Sequence, residues 1–397
     1  MKQINDYMDK LVRPQVHILQ RPYYAFQVCG YMGLILTVLL GMALSIHKGL
    51  SLWVLSGVVG IAILTFLVLA MVAKIIVGEE QLTYYHHEIA IMIVTAIFLK
   101  MINQLVLPYL DVTILGIGLF LVCGRVGCLM VGCCHGRPSK WGICYRKEHA
   151  DNGFTHYYVG IRLFPIQGLE SLWVLVIVII GAFFLLDKQP PGETLTWYVI
   201  TYGLGRFCFE FVRGDPERPY FFSFSEAQWT SIVLMCAVVG CELSGALPFR
   251  LWHIVATSGV VLSMIAVVLT RRFRGAVRHQ LLSLRHIREF AEAIDLISNR
   301  VSGRTVTTGG HTVPDIIPIC STSLGVQISA GKIKETEPSI DHYALSSQKE
   351  TMNKETANTL ADLIIQLKHP NGFKELVSQR QGVFHVLVRP INAGDQK

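Results

Sequence analysis

The sequence predicts an all-α polytopic membrane protein of 7–8 transmembrane helices, followed by a small C-terminal α+β soluble domain. Two observations predict it. The chain has 397 residues, of which 52% are hydrophobic and only 16% charged, a balance that soluble domains rarely reach. Its apolar runs recur at the length of roughly 20 residues that one helix needs to cross a bilayer core. They stop where the composition turns polar after Arg271.

Residues 1–26 form a polar N-terminal segment of mixed charge. The first apolar run after it is long enough to span, unlike the short core of a cleavable signal peptide. Candidate spans then fall at about 27–46, 51–73, 86–105, 109–131, 165–186, 194–213, 227–245 and 250–270. The membrane domain is therefore 27–270. Its connections are short except for 132–164, and Pro190, Pro191 and Gly192 mark a turn before the sixth run.

Residues 271–302 read as a basic amphipathic helix and linker. Leu284, Ile287, Ala291, Ile294 and Ile297 recur at helical spacing. Arg271, Arg272, Arg274, Arg278, Arg285 and Arg288 accompany them, which suits either a helix lying on anionic headgroups or a solvated linker. Residues 303–397 form the soluble domain. There LGVQIS and GVFHVLV read as strands, and NKETANTLADLIIQLKHPNG as a helix stopped by Pro370 and Gly372. The region carries no catalytic constellation.

A net charge of +7 without any nucleic-acid motif points to a membrane surface and away from nucleic acid. Cys123, Cys128, Cys133, Cys134 and Cys144 fall within 22 residues beside one span. That is not the spread of a secreted disulfide scaffold.

Ionisable residues inside spans are costly and need a partner or a cavity. Asp111, Arg125, Glu170, Arg206, Glu210 and Arg213 are such residues. Tyr202, Arg206 and Glu210 follow each other at i, i+4 and i+8 and share a helix face. Gly203 and Gly205 beside Arg206 leave room for a backbone or a ligand. Two arginines at one membrane depth fit a phosphate, which offers each guanidinium a two-point partner. A phospholipid is the phosphate at hand in a bilayer. A purely structural ion pair is the alternative.

The stretch GRVGCLMVGCCHGR (124–137) is glycine-rich and combines two arginines, three cysteines and a histidine. Metal binding is disfavoured here, because Cys133 and Cys134 are adjacent and no second C-x-x-C pair completes a zinc site. Cys123 and Cys128 read as small apolar fillers. Cys133 and Cys134 lie between glycines near His135 and Arg137, where positive neighbours favour a thiolate.

GRVGCLMVGCCHGRPS resembles the signature G-R-x-G-N-x-x-N-x-E-x-x-G-R-x-T of the prolipoprotein diacylglyceryl transferases, keeping Gly124, Arg125, Gly127, Gly136 and Arg137. PIQGLE resembles P-S-Q-L-Y-E and carries over Gln167 and Glu170. YGLGRFCFEFVRGDP resembles Y-G-x-x-R-F-x-x-E-x-x-R-x-P-D and carries over Tyr202, Arg206 and Glu210. Asp111 also matches, Tyr31 aligns with a family tyrosine, and His86 or His87 falls near the family's essential histidine. The resemblance covers roughly 27–245. The chain departs from it at both signature asparagines, replaced by Cys128 and Val131, and at the signature glutamate, replaced by Cys133. The double glycine after the family histidine is also absent, so the chain looks like a cysteine-bearing branch.

The resemblance implies a plasma (inner) membrane enzyme that moves a diacylglyceryl group from phosphatidylglycerol to a protein thiol and releases glycerol phosphate, with no cofactor. Arg125, Arg206 and Arg137, with Tyr202 and Tyr31, would bind the phospholipid. Glu210 would orient Arg206, and His86 or His87 would serve as base. Cys133 or Cys134 would carry the lipid covalently in place of the lost glutamate. A non-enzymatic cysteine metal or redox sensor and a lipid-binding scaffold are the other readings. With eight crossings, sixteen lysines and arginines near span ends fall on the side of both termini and three on the other. That bias favours a cytoplasmic C-terminal domain, whereas the family implies chemistry at the outer face; orientation stays open at this stage.

Overall fold

The computed structural model describes residues 2–77, 84–187, 189–215, 220–222, 224–273, 280–301, 318–333, 340–369 and 372–390. A short helix, α1 (Lys2–Leu11), and a hairpin of β1 (Gln15–Ile18) and β2 (Arg21–Tyr24) open the chain. The apolar helices α2 (Ala25–His47), α3 (Leu52–Val77), α4 (Tyr84–Met101) and α5 (Val106–Val131) follow. The connection after α5 holds β3 (Pro138–Cys144), α6 (Lys147–Ala150), a 3-10 turn (His156–Tyr158) and β4 (Arg162–Leu163). Then come α7 (Ile166–Leu186), α8 (Glu193–Phe209), a hairpin of β5 (Tyr220–Phe221) and β6 (Phe224–Ser225), α9 (Glu226–Leu243) and α10 (Leu251–Phe273).

Six of these helices, α2, α3, α5, α7, α9 and α10, are long and apolar enough to cross a membrane. The runs expected at 86–105 and 194–213 fold as α4 and α8, but over only 18 and 17 residues. The histidines and Glu88 of α4, and Arg206 of α8, dilute their apolar character.

Local chemistry sets the helix ends. α5 stops at Gly132, whose left-handed φ of 88° lets its N–H cap the Cys128 carbonyl at 2.9 Å. α9 starts with a capping box in which Ser225 and Gln228 exchange hydrogen bonds. The N-terminus of α8 is capped from a neighbouring helix. Asp111 Oδ2 and Oδ1 accept the N–H groups of Gly192 and Leu195 at 2.7 and 2.8 Å. This intramembrane carboxylate therefore answers the orphan donors of a buried helix start.

α5 is the most buried of the six and packs against α2, α4, α7 and α8, while α8 also meets α7 and α9. Short connections make successive helices antiparallel. The starts of α4, α7 and α9 and the ends of α5 and α8 thus meet at one end of the bundle.

That end is covered by protein. α1 docks on β3: Asn5 bonds the Lys140 carbonyl and the Gly142 N–H, and Asp9 takes the Cys144 N–H and pairs with Arg162. Farther along the chain, α11 (Leu284–Val301) leads to β7 (Ile319–Ser321), β8 (Val326–Ile333), β9 (Ile340–Ser347), α12 (Lys354–Lys368), β10 (Gly372–Arg380) and β11 (Val383–Pro390). The strands form one antiparallel sheet in the order β10-β11-β9-β8-β7. The expected strands and helix are β8, β11 and α12. β9 and β10 carry too many polar residues to stand out from composition.

The helix expected within 271–302 is α11, and protein covers its apolar face. Phe290, Ile294 and Ile297 are fully covered, and α11 packs on β7, β8 and the 3-10 turn. Its core is continuous with Val12, Ile143, Tyr145, Tyr158 and Leu163. Arg274, Arg278 and residues 302–317 lie outside the described residues.

Candidate active site

Three helices bring charge to one point. α5 presents Arg125 and α7 presents Glu170. The end of α8 presents Arg206 and Glu210, and the turn after it Arg213 and Asp215. Glu170 Oε2 lies 3.0 Å from Arg125 Nε, 3.6 Å from Arg206 Nη1 and 3.9 Å from Arg213 Nη1. Its other oxygen accepts the Tyr202 hydroxyl at 3.2 Å. Glu210 Oε1 holds Arg206 Nη2 at 2.7 Å, and Asp215 grips Arg213 at two points, 2.8 and 2.9 Å. Arg125, Glu170, Arg206, Glu210 and Arg213 are all buried.

Formal charge balances in this cluster, but hydrogen bonding does not. Arg125 Nε and Glu170 Oε2 are close yet misaligned, and Arg206 Nη1 and Arg213 Nη1 have no hydrogen-bond partner among the described residues. One carboxylate oxygen cannot satisfy three guanidinium groups. Buried donors in such excess suit an anion with several oxygens.

The cysteine turn lies beside the cluster. Gly132 and Cys134 both take left-handed backbone, φ 88° and 53°. The second costs a non-glycine residue roughly 1–2 kcal/mol. The chain reverses so that Cys133 and Cys134 face Cys128, with all three Sγ atoms within 4.8 Å of one another. Gln167 Nε2 donates to the Cys133 carbonyl at 2.7 Å. Gly136 approaches so closely that a Cβ there would stand 2.5 Å from the Phe164 carbonyl oxygen. Arg137 and Gly214 N–H groups donate to Val212 and His135 carbonyls, tying the turn to the Arg213 segment. Hydrogen bonds from Cys128 and Cys133, aided by the Arg213 and Arg125 guanidiniums, hold the Cys134 thiol well below its ordinary value against the effect of burial.

The other expected residues divide. Tyr202, Arg206, Glu210, Glu170 and Arg125 come together. Arg137 Nε bonds the Arg213 carbonyl at 3.4 Å. Gly127 packs against Phe26 and Cys29, and Gly124 faces open space. Gly203 and Gly205 make room for Met235 and Trp173 of neighbouring helices. His86 is exposed and pairs with Glu226 at 2.6 Å, whereas His87 is buried against the Phe66 ring. Tyr31 is 70% exposed on α2. Spacing alone did not single out Asp215 or Cys128 as members of the site, and it marked Arg213 only as an ionisable residue within a span. Nor did it single out Glu88, buried with one oxygen unbonded and close to Tyr84 and Tyr85. An acidic residue in the place of the family's double glycine was the available signal for Glu88.

The family model for prolipoprotein diacylglyceryl transferase matches residues 23–243, more than half of the chain. The chain belongs to this family. Similar proteins include the phosphatidylglycerol–prolipoprotein diacylglyceryl transferase of Clostridium tetani, 34% identical over 125 residues, 30% of this chain and 47% of the relative. Another is the protein numbered 2 of that name in Clostridium perfringens, 31% identical over 114 residues, 28% and 42% of the two chains. A third, from Dehalococcoides mccartyi, is 30% identical over 132 residues, 33% and 48%. The chain spans about half the length of these relatives. The arginine cluster and the cysteine turn both lie within the region that the family model covers.

Proposed function

We propose that this chain is a multi-pass cell-membrane transferase that moves the diacylglyceryl group of phosphatidylglycerol to a thiol, the cysteine of a lipoprotein precursor. The observation that carries the proposal is the surplus of buried guanidinium donors on Arg206 and Arg213 around Glu170. Membership of the family and the names of its relatives support it.

Arg125, Arg206 and Arg213 receive the phosphate, and Glu210 and Asp215 fix the planes of Arg206 and Arg213. The acceptor sulfur bonds to the glycerol carbon as the carbon–oxygen bond to phosphate breaks. Charge then collects on the departing glycerol phosphate, where pre-placed guanidiniums stabilise it most. Of the two histidines, His86 is the better base: it is exposed, and Glu226 orients its ring. A lipid carried on Cys133 or Cys134 fits poorly. The bond would be a thioether, and its leaving thiolate, with a pKa of about 8.5, is far more basic than a phosphate, so the lipid would stay on the protein.

The shared core of α1, the 132–164 connection and the C-terminal domain calls for an even number of crossings between the termini. Eight crossings, with α4 and α8 as short spans, meet it.

Purified protein in phosphatidylglycerol liposomes, given a cysteine peptide of the lipoprotein-precursor type, tests the proposal by mass spectrometry. A diacylglyceryl adduct on the peptide is expected. Retained phosphatidylglycerol binding with no adduct would replace the enzyme with a lipid-binding scaffold.

A further inference from the structure

Cys128, Cys133 and Cys134 form the one convergent group of three or more metal-ligating side chains among the described residues. Cys128 is buried, Cys134 partly buried and Cys133 exposed, so the group is walled on one side and open on the other. The left-handed backbone at Cys134 spends conformational strain on this convergence. Two of the three positions replace polar residues of the family signature, an asparagine at Cys128 and the glutamate at Cys133.

We propose that these three thiols hold one zinc ion, and that its open fourth position takes the acceptor cysteine as a thiolate. This rests on the transferase reading above. Thiolate donors select soft ions such as zinc and copper(I). Zinc prefers four ligands, and three protein ligands with one open position are its pattern in catalytic sites. Sulfurs bound at about 2.3 Å to one tetrahedral ion stand about 3.8 Å apart. From separations within 4.8 Å, a contraction of about 1 Å closes the site. Three thiolates and a zinc ion carry one net negative charge, and the acceptor thiolate adds another.

The chemistry closes without a redox partner. The acceptor S–H bond breaks as its sulfur binds zinc, and the proton leaves with the displaced water. Coordination deprotonates a thiol outright. The sulfur then forms its bond to the glycerol carbon while the carbon–oxygen bond breaks, and the electron pair leaves with glycerol phosphate. The product thioether is a neutral, weak ligand, so it leaves the metal and water returns.

The test uses the full chain purified under reductant, reconstituted with zinc or cobalt(II) and freed of excess metal. Elemental analysis is expected to find about one metal per chain, reduced at least about tenfold in Cys128→Ser, Cys133→Ser and Cys134→Ser. The cobalt protein is expected to show sulfur-to-cobalt charge-transfer absorption that strengthens with the cysteine peptide and not with its serine counterpart. Wild-type protein alone gives that spectrum, so a variant that fails to fold does not decide the matter. Absence of metal from the reduced wild-type protein overturns the zinc site. An unchanged cobalt spectrum with the peptide overturns the open position. Peptide lipidation by metal-free protein would sink the zinc inference and leave the transferase standing. Stoichiometric metal with no lipidation would leave the zinc site and sink the transferase.

Discussion

Arg125 Nε stands 3.0 Å from Glu170 Oε2, and the same oxygen lies 3.6 and 3.9 Å from Arg206 Nη1 and Arg213 Nη1. One buried anion therefore holds three cations from three segments of the chain. Glu170→Ala removes it and leaves those charges crowded, a change that costs about 3–5 kcal/mol at buried pairs. Thermal unfolding in detergent should show a large fall in midpoint. An unchanged midpoint would mean that Glu210 and Asp215 suffice.

Arg206→Lys keeps the charge and loses the planar fork. Its ammonium can hold Glu210 but cannot meet a phosphate at two points. Transfer to the peptide should fall about 10–100-fold while the unfolding midpoint moves little. A wild-type rate in this variant would show that only net charge matters there.

Asp111→Ala should separate structure from chemistry. The Gly192 and Leu195 N–H groups lose their acceptor, and a buried orphan donor costs about 1–3 kcal/mol. Stability should drop by that order, with the rate per folded molecule retained. Lost turnover at unchanged stability would place Asp111 in the chemistry instead.

Gly136→Ala should spoil the cysteine turn. The added methyl would stand 2.5 Å from the Phe164 carbonyl oxygen, so the backbone must separate there. Expected outcomes are a destabilisation of about 1–3 kcal/mol and faster alkylation of Cys128, whose thiol is buried in the wild type. Unaltered alkylation would show that the turn yields elsewhere.

Ile294 is fully buried on α11, in the core shared with Tyr158 and Leu163. Ile294→Asp buries an unpaired charge. Protease should then cut the 132–164 connection sooner than in the wild type. Reporter fusions at the two termini should label the same side of the membrane, and opposite sides would refute an even number of crossings.

Much of this was readable from the chain. Apolar runs fix the helices, because a bilayer demands length and leaves composition little freedom. The i, i+4, i+8 spacing of Tyr202, Arg206 and Glu210 put them on one face, and the ion pair between the last two follows. Tertiary structure decided what meets those faces. Nothing local says that Asp111 caps α8, that Arg213 and Asp215 join Arg206, or that α11 buries its apolar face in a sheet. Periodicity reports that a face is apolar, not what covers it. The grouping of Cys128 with Cys133 and Cys134 depends on two left-handed residues, Gly132 and Cys134. One of them is not glycine, so no local preference announces the turn that brings Cys128 to face the other two thiols.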